Sequence, residues 1–122
     1  MYFPASGWLV AFLLTVAVEV PIAWYLLRAA DPEGLRLAAL VVFANLASHP
    51  IVWYVLTQPF LVGTWEYVLV AEGWAVAAEA VFYAVAIRGV GPRRAVAVAV
   101  LANAASYLAG WVVGGLWPGV FG

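Results

Sequence analysis

Residues 19–53 read EVPIAWYLLRAADPEGLRLAALVVFANLASHPIVW, two apolar runs joined by a short charged turn. The turn contains Asp31-Pro32-Glu33-Gly34 and lies between Arg28 and Arg36. Apolar runs of about 20 residues on both sides of such a turn are typical of two helices that cross a membrane. Because the connection is short, we expect the two helices to be antiparallel neighbours.

The composition of the whole chain also indicates a membrane protein. Of its 122 residues, 68% are hydrophobic and 9% are charged, and the mean hydropathy is +1.06. This leaves too little polar surface to cover a water-soluble domain of 13.0 kDa. We expect an all-α integral membrane protein with one four-helix domain over residues 1–122. The predicted transmembrane helices cover about 7–28, 35–57, 64–88 and 93–117.

The residue counts exclude several kinds of site. Five basic and six acidic residues give a net charge of -1, so the chain lacks the basic surface that nucleic acid requires. The sequence has no cysteine, which excludes disulfides and thiolate metal sites. It has no lysine, which excludes attachment of a cofactor through a Schiff base. We expect no cofactor. Whether a metal is bound is left open, because His49 is the only histidine and no metal-ligand spacing is present.

The chain contains an internal repeat. Residues 79–111 read EAVFYAVAIRGVGPRRAVAVAVLANAASYLAGW and match residues 19–53 at their polar positions. The shared pattern is Glu-x8-Arg, a turn, then Arg-x8-Asn-x2-Ser-(His/Tyr)-x3-Trp. We interpret this as a duplication, with one unit over about 7–57 and a second over about 64–117. Each unit has two helices, so the units are parallel repeats related by a pseudo-twofold axis along the membrane normal.

The arginines predict the orientation of the chain in the membrane. All five lie at the first and third connections, namely Arg28, Arg36, Arg88, Arg93 and Arg94. Positive residues favour the cytoplasmic side, which places both termini outside. The start of the chain, Met1 to Pro4, lacks the basic residues of a signal peptide, so we count the first apolar run as a helix. A composition rich in Ala, Val and Gly without Lys or Cys favours a prokaryotic plasma (inner) membrane.

Counting along the helices places four polar side chains at one depth. Glu19 lies nine residues before Arg28, and Asn45 lies nine residues after Arg36. At the rise of an α-helix, each is about 13 Å from the level of the arginines, near the middle of the membrane. The second unit repeats both spacings, so the layer comprises Glu19, Asn45, Glu79 and Asn103. Carboxyl groups are costly in lipid, so we expect these side chains to point into the bundle.

Further polar and aromatic residues extend this layer into a predicted pocket that is open to the outer side. His49 is one turn beyond Asn45, Tyr107 is its counterpart in the second unit, and Glu72 is two turns from Glu79. The predicted ligand-binding residues are Glu19, Asn45, His49, Glu72, Glu79, Asn103, Tyr107, Trp53 and Trp111. None is predicted to be catalytic. Pro21 and Pro50 each remove a backbone hydrogen bond, and we expect a kink at each.

Three functions fit this pattern. The first is binding or transport of an ion, a proton or a small cationic or amphipathic molecule, with the carboxyls and aromatic rings forming the pocket. The second is a structural or accessory subunit of a larger membrane complex, in which the polar residues join helices. The third is an intramembrane enzyme that acts on a lipid or isoprenoid with a glutamate and His49 as an acid and base. The expected partners are membrane lipids, and a homo-oligomer or a larger membrane complex is possible.

Overall fold

The computed structural model describes residues 5–122; Met1 to Pro4 lie outside the described residues. The described chain is all-helical, as predicted, and each of its four α-helices is long and apolar enough to cross a membrane. The four mean hydropathies lie between 1.6 and 2.0, which suggests a multi-pass membrane protein. The helices are α1 (Ala5–Leu27), α2 (Gly34–Pro50), α3 (Trp65–Ala86) and α4 (Pro92–Leu116).

The helix ends follow local signals in the sequence. Thr64 precedes α3 with an extended backbone, and its hydroxyl accepts the N–H of Tyr67 at 3.4 Å, which caps the helix. Pro92 is the first residue of α4, where its missing N–H costs no helical hydrogen bond. The tight turn before it requires a left-handed residue, and Gly89 supplies this with φ +82.

The two helix-interior prolines behave differently. Helix α1 continues through Pro21 to Leu27, whereas α2 ends as a regular α-helix at Pro50 and continues as a wide π-helical turn over Ile51–Val55. In this wide turn, Leu56 donates its N–H to the carbonyl of Ile51 at 2.9 Å. Proline cannot donate the next hydrogen bond of α2, which loosens the backbone pattern beyond it. The predicted helix to residue 57 is therefore an α-helix followed by a π-turn.

Two hydroxyl groups bond to carbonyls of the wide turn. Tyr67 of α3 donates to the carbonyl of Val52 at 3.1 Å, and Thr57 donates to the carbonyl of Trp53 at 3.0 Å. Carbonyls in a helix of irregular pattern need such donors where water is scarce. The wide turn is thus joined to the start of α3 by a side-chain hydrogen bond.

The helices pack in a ring in which α1 and α3 each contact both α2 and α4. The connections α1–α2 and α3–α4 lie at the same end of the bundle, which we call the arginine end. There Arg36 donates to the carbonyl of Ala86 at 3.2 Å, and Arg94 donates to the carbonyl of Leu26 at 2.7 Å. Each arginine thereby satisfies a carbonyl in the last turn of a helix that belongs to the other hairpin.

The half of the bundle next to the arginine end is closed by an apolar core. The core joins all four helices and consists of Ala23, Leu27, Leu37, Val41, Ala80, Tyr83, Ile87, Val90, Ala95, Val98 and Ala99. The other half, which we call the open end, contains the α2–α3 connection and the segment after α4. It surrounds a cavity instead of a packed core. The polar layer lies between the two halves.

Candidate functional site

The first part of the polar layer is a glutamate with two hydrogen-bond donors. Glu19 is 0% exposed and accepts a hydrogen bond from the Asn45 amide at 2.8 Å. The same amide donates to the carbonyl of Val41 at 3.0 Å, which fixes its orientation. The other carboxyl oxygen of Glu19 accepts the hydroxyl of Ser106 from α4 at 2.9 Å. Both oxygens of this carboxyl group are therefore hydrogen-bonded inside the bundle.

The second part of the layer has the same amide contact and one oxygen without a partner. Glu79 is 0% exposed, and its Oε2 accepts the Asn103 amide at 2.6 Å. Asn103 also donates to the carbonyl of Ala99 at 2.8 Å. Glu79 Oε1 is buried and has no hydrogen-bond partner among the described residues. One turn further along α3, the buried hydroxyl of Tyr83 also lacks a partner in the described chain.

The two glutamates are neighbours. Their carboxyl groups lie within hydrogen-bonding reach of each other, and the Tyr83 hydroxyl is near enough to interact electrostatically with both. The one ion pair among the described residues joins Arg36 to Asp31 at the arginine end, at 3.3 Å. No basic side chain therefore balances the glutamate pair in the described structure. Two ionised carboxyls this close in a medium of low dielectric constant would repel each other strongly.

Above this layer, a cavity of about 550 Å³ extends to the open end. Its volume is in the range of sites for small organic molecules. All four helices contribute to its wall, and the segment from Gly119 to Gly122 also lines it. The predicted site residues that line it are Asn45, His49, Trp53, Glu72, Asn103, Tyr107 and Trp111. Glu19 and Glu79 were predicted to line the pocket, but they lie beneath its floor, because Asn45, Asn103 and Ser106 separate them from the cavity.

Among the described residues, Glu72 is the only carboxyl side chain in the cavity wall, and none of the arginines lines the cavity. It is half-buried on α3, and no ion pair involves it in the described part of the chain. The wall of the same cavity contains the aromatic rings of Trp53, Tyr67, Tyr107 and Trp111. A carboxylate with nearby aromatic faces is a chemical environment that favours cations.

His49 lies in an aromatic cluster. Its ring is 5.7 Å from Phe12, 6.1 Å from Trp53 and 6.3 Å from Trp8, measured between centroids. Its Nδ1 is buried without a hydrogen-bond partner among the described residues. The ring neighbours of His49 are therefore aromatic side chains of α1 and of the wide turn.

The three aromatic residues among the predicted ligand-binding residues differ in how far they face the cavity. Trp53 is half-buried in the wide turn, next to His49. Tyr107 is 45% exposed and Trp111 is 75% exposed, so both border the cavity while much of each ring faces outward from α4. Trp53 is thus the most enclosed of these three predicted residues.

Several residues of the site were not predicted. Ser106 belongs to the repeated pattern, but the pattern does not predict its hydrogen bond to Glu19. Tyr83 lies one turn from Glu79 on the same face of α3, and this spacing could have indicated it. The segment from Gly119 to Gly122 also lines the cavity. The sequence pattern does not predict this, because it depends on how the chain folds back after α4.

The arrangement separates two chemical environments, a cation-favouring cavity and a buried carboxyl pair beneath it. The described residues contain no group of three or more His, Cys, Asp or Glu side chains that could hold a metal ion. In comparisons with protein-family models, curated proteins and solved structures, nothing matches this chain.

Proposed function

We propose that this protein binds a small cationic, amphipathic molecule in the cavity and exchanges it across the membrane. The observation that carries the proposal is Glu72, an acidic side chain in an aromatic-lined cavity. Among the described residues the wall contains no arginine, and its one histidine, His49, lies among aromatic rings. A cation would gain a counter-charge from Glu72 and favourable contact with ring faces, and apolar wall residues would take up the rest of the molecule.

We propose the following placement in the membrane. The chain is a multi-pass protein of a prokaryotic plasma membrane, with the arginine end in the cytoplasm and both termini outside. The helix lengths and hydropathies support membrane insertion. The confinement of every arginine to one end of the bundle supports the orientation. The cavity would then open to the outer side.

We also propose that the bundle consists of two repeated units with a pseudo-twofold axis along the membrane normal. The bonds Arg36 to Ala86 and Arg94 to Leu26 support this, because both partners in one bond are the repeat counterparts of those in the other. Burial supports it as well. Matched buried residues are Glu19 and Glu79, Ala23 and Tyr83, Leu27 and Ile87, Leu37 and Ala95, Val41 and Ala99, Ala44 and Ala102, Asn45 and Asn103, Ser48 and Ser106.

Binding of a lipophilic cation tests the proposed function. We expect the purified protein in detergent to bind tetraphenylphosphonium and Glu72→Gln to lose at least about tenfold in affinity, because a carboxylate near a cation contributes a few kcal/mol at an effective dielectric constant near 20. The matched control is Glu66→Gln, which makes the same substitution at an exposed position of α3 outside the cavity. Isothermal titration calorimetry measures the affinities.

Two results would contradict the proposal. No binding to the wild type, with protein partners retained during gentle extraction, would favour the accessory subunit. Equal loss of affinity in Glu72→Gln and Glu66→Gln would show that the cation does not use the cavity carboxyl. The enzyme hypothesis lacks a specific observation, since no hydrogen bond joins His49 to a glutamate in the described residues.

A further inference from the structure

We propose that the Glu19–Glu79 pair is a second site, distinct from the cavity, which holds one exchangeable proton and releases it when a cation occupies the cavity. The first half of this inference concerns the pair alone. The second half rests on the proposed function, since it requires a cation to bind above the pair. The ligand of this second site is the proton itself.

The contacts of the two carboxyls support a shared proton. Both side chains are fully buried, they are adjacent, and no basic side chain among the described residues forms an ion pair with them. Three of their four oxygens have an assigned contact: two on Glu19, with the Asn45 amide and the Ser106 hydroxyl, and one on Glu79, with the Asn103 amide. The fourth, Glu79 Oε1, has no donor in the part of the chain that the structure describes. A proton carried by this oxygen and directed to Glu19 would satisfy it and remove the repulsion of two negative charges.

The other ionisable groups around the pair lie on α2, α3 and α4. On α3, Glu72 is toward the cavity and the Tyr83 hydroxyl is toward the apolar core. On α2, His49 is packed among rings, and on α4 the nearest such group is Tyr107 at the cavity. On α1, the described span contains Glu19 and one further ionisable residue, Tyr25, which is exposed and packs against Arg28 away from the pair.

Three side chains connect the pair with the cavity. Asn45, Asn103 and Ser106 each line the cavity, and each donates a hydrogen bond to a carboxyl of the pair. A positive charge bound above these groups would stabilise the ionised pair beneath them. The exchange is balanced in charge: one monovalent cation enters, and one O–H bond of the carboxyl pair breaks to release one proton. No other reactant is required.

Infrared spectroscopy tests the proton without any ligand. We expect the wild type at neutral pH to show the C=O absorption of a protonated carboxyl group. The band should be lost in the double variant Glu19→Gln, Glu79→Gln and retained in Glu72→Gln, the control. A wild type without the band would overturn the inference. A band that survives in the double variant, or disappears in Glu72→Gln, would also overturn it, because the proton would then belong to another group.

Cation-induced proton release tests the coupling. Tetraphenylphosphonium is added to weakly buffered protein with a pH indicator dye, and we expect one proton to appear per cation bound. Because the cation competes with the proton, its affinity should rise with pH, by up to about tenfold per pH unit. The double variant should bind without releasing protons. If the wild type binds the cation without releasing a proton, the coupling is overturned and the proposed function stays intact. If the wild type does not bind the cation, the coupling and the proposed function are both overturned. In either case the infrared band decides separately whether the carboxyl pair holds a proton.

Discussion

At the level of single residues, the two halves of the chain differ in how matched serines are used. Ser106 donates to Glu19 at 2.9 Å. Ser48 occupies the matching position of α2 and is equally buried, but its hydroxyl makes no hydrogen bond to Glu79 in the described structure. Glu19 therefore has two hydrogen-bond donors and Glu79 has one. This difference leaves the unpartnered oxygen on Glu79.

The serine pair gives a matched comparison of stability. We expect Ser106→Ala to lower the free energy of unfolding by about 1 kcal/mol, the typical contribution of a side-chain hydrogen bond between membrane helices. Ser48→Ala removes the same atom at the matched position without breaking such a bond, so its effect should be smaller. Unfolding in a denaturing detergent measures both. Equal losses would mean that the Ser106 bond does not contribute to stability.

At the level of the helices, the wide turn after Pro50 determines which side chains reach the cavity. Trp53 lies within this turn and lines the cavity wall. One extra residue in a helical turn rotates all following side chains by about 100°. The π-turn therefore sets the direction of Trp53 relative to the regular part of α2.

Replacing the proline tests this role. We expect Pro50→Ala to restore a regular helix, to rotate Trp53 away from the cavity and to weaken tetraphenylphosphonium binding several-fold. Pro21→Ala is the control, since α1 has no wide turn at its proline. Calorimetry measures affinity, and tryptophan fluorescence reports the change of environment. An unchanged affinity in Pro50→Ala would show that the wide turn is not needed for binding of the cation.

At the level of the whole molecule, charge and packing divide the bundle into two halves. The arginines and the apolar core lie at one end, and the cavity lies at the other. A core packed at only one end closes the cavity at its base. Access from water would therefore be from the open end in this conformation.

The proposed orientation can be tested because the chain contains no cysteine. Single cysteines are introduced as Leu61→Cys in the α2–α3 connection and Glu33→Cys in the α1–α2 connection, both at exposed positions. In intact cells, we expect a membrane-impermeant maleimide to label Leu61→Cys and not Glu33→Cys. Labelling of both in lysed cells is the control for accessibility. The reverse pattern in intact cells would invert the orientation.

The sequence predicted those features that depend on distance along a helix. A fixed rise per residue places Glu19 and Asn45 at one depth, and the structure joins them by a hydrogen bond. Features that depend on rotation about a helix axis were harder to predict. Every helix is apolar on most faces, so periodicity does not show that His49 faces Trp8 and Phe12.

The position of the carboxyl pair relative to the cavity was also beyond the sequence. Counting residues gives the depth of Glu79, but the floor above it is formed by side chains of α2 and α4 whose direction depends on packing. The backbone geometry of α2 after Pro50 could not be predicted either, because proline can produce either a sharp kink or a wide turn. Both outcomes remove the same backbone hydrogen bond.

The contacts between each glutamate and its asparagine have a consequence for biogenesis. Asn45 follows Glu19 in the same hairpin, and Asn103 follows Glu79 in the next. Each hairpin therefore carries its own amide for its own carboxyl as it leaves the ribosome, before any contact with the other hairpin. The bond from Ser106 to Glu19 joins the two hairpins and requires both to be in place. If the chain inserts into a membrane as proposed, each hairpin would shield its most costly group from lipid at its own step of insertion.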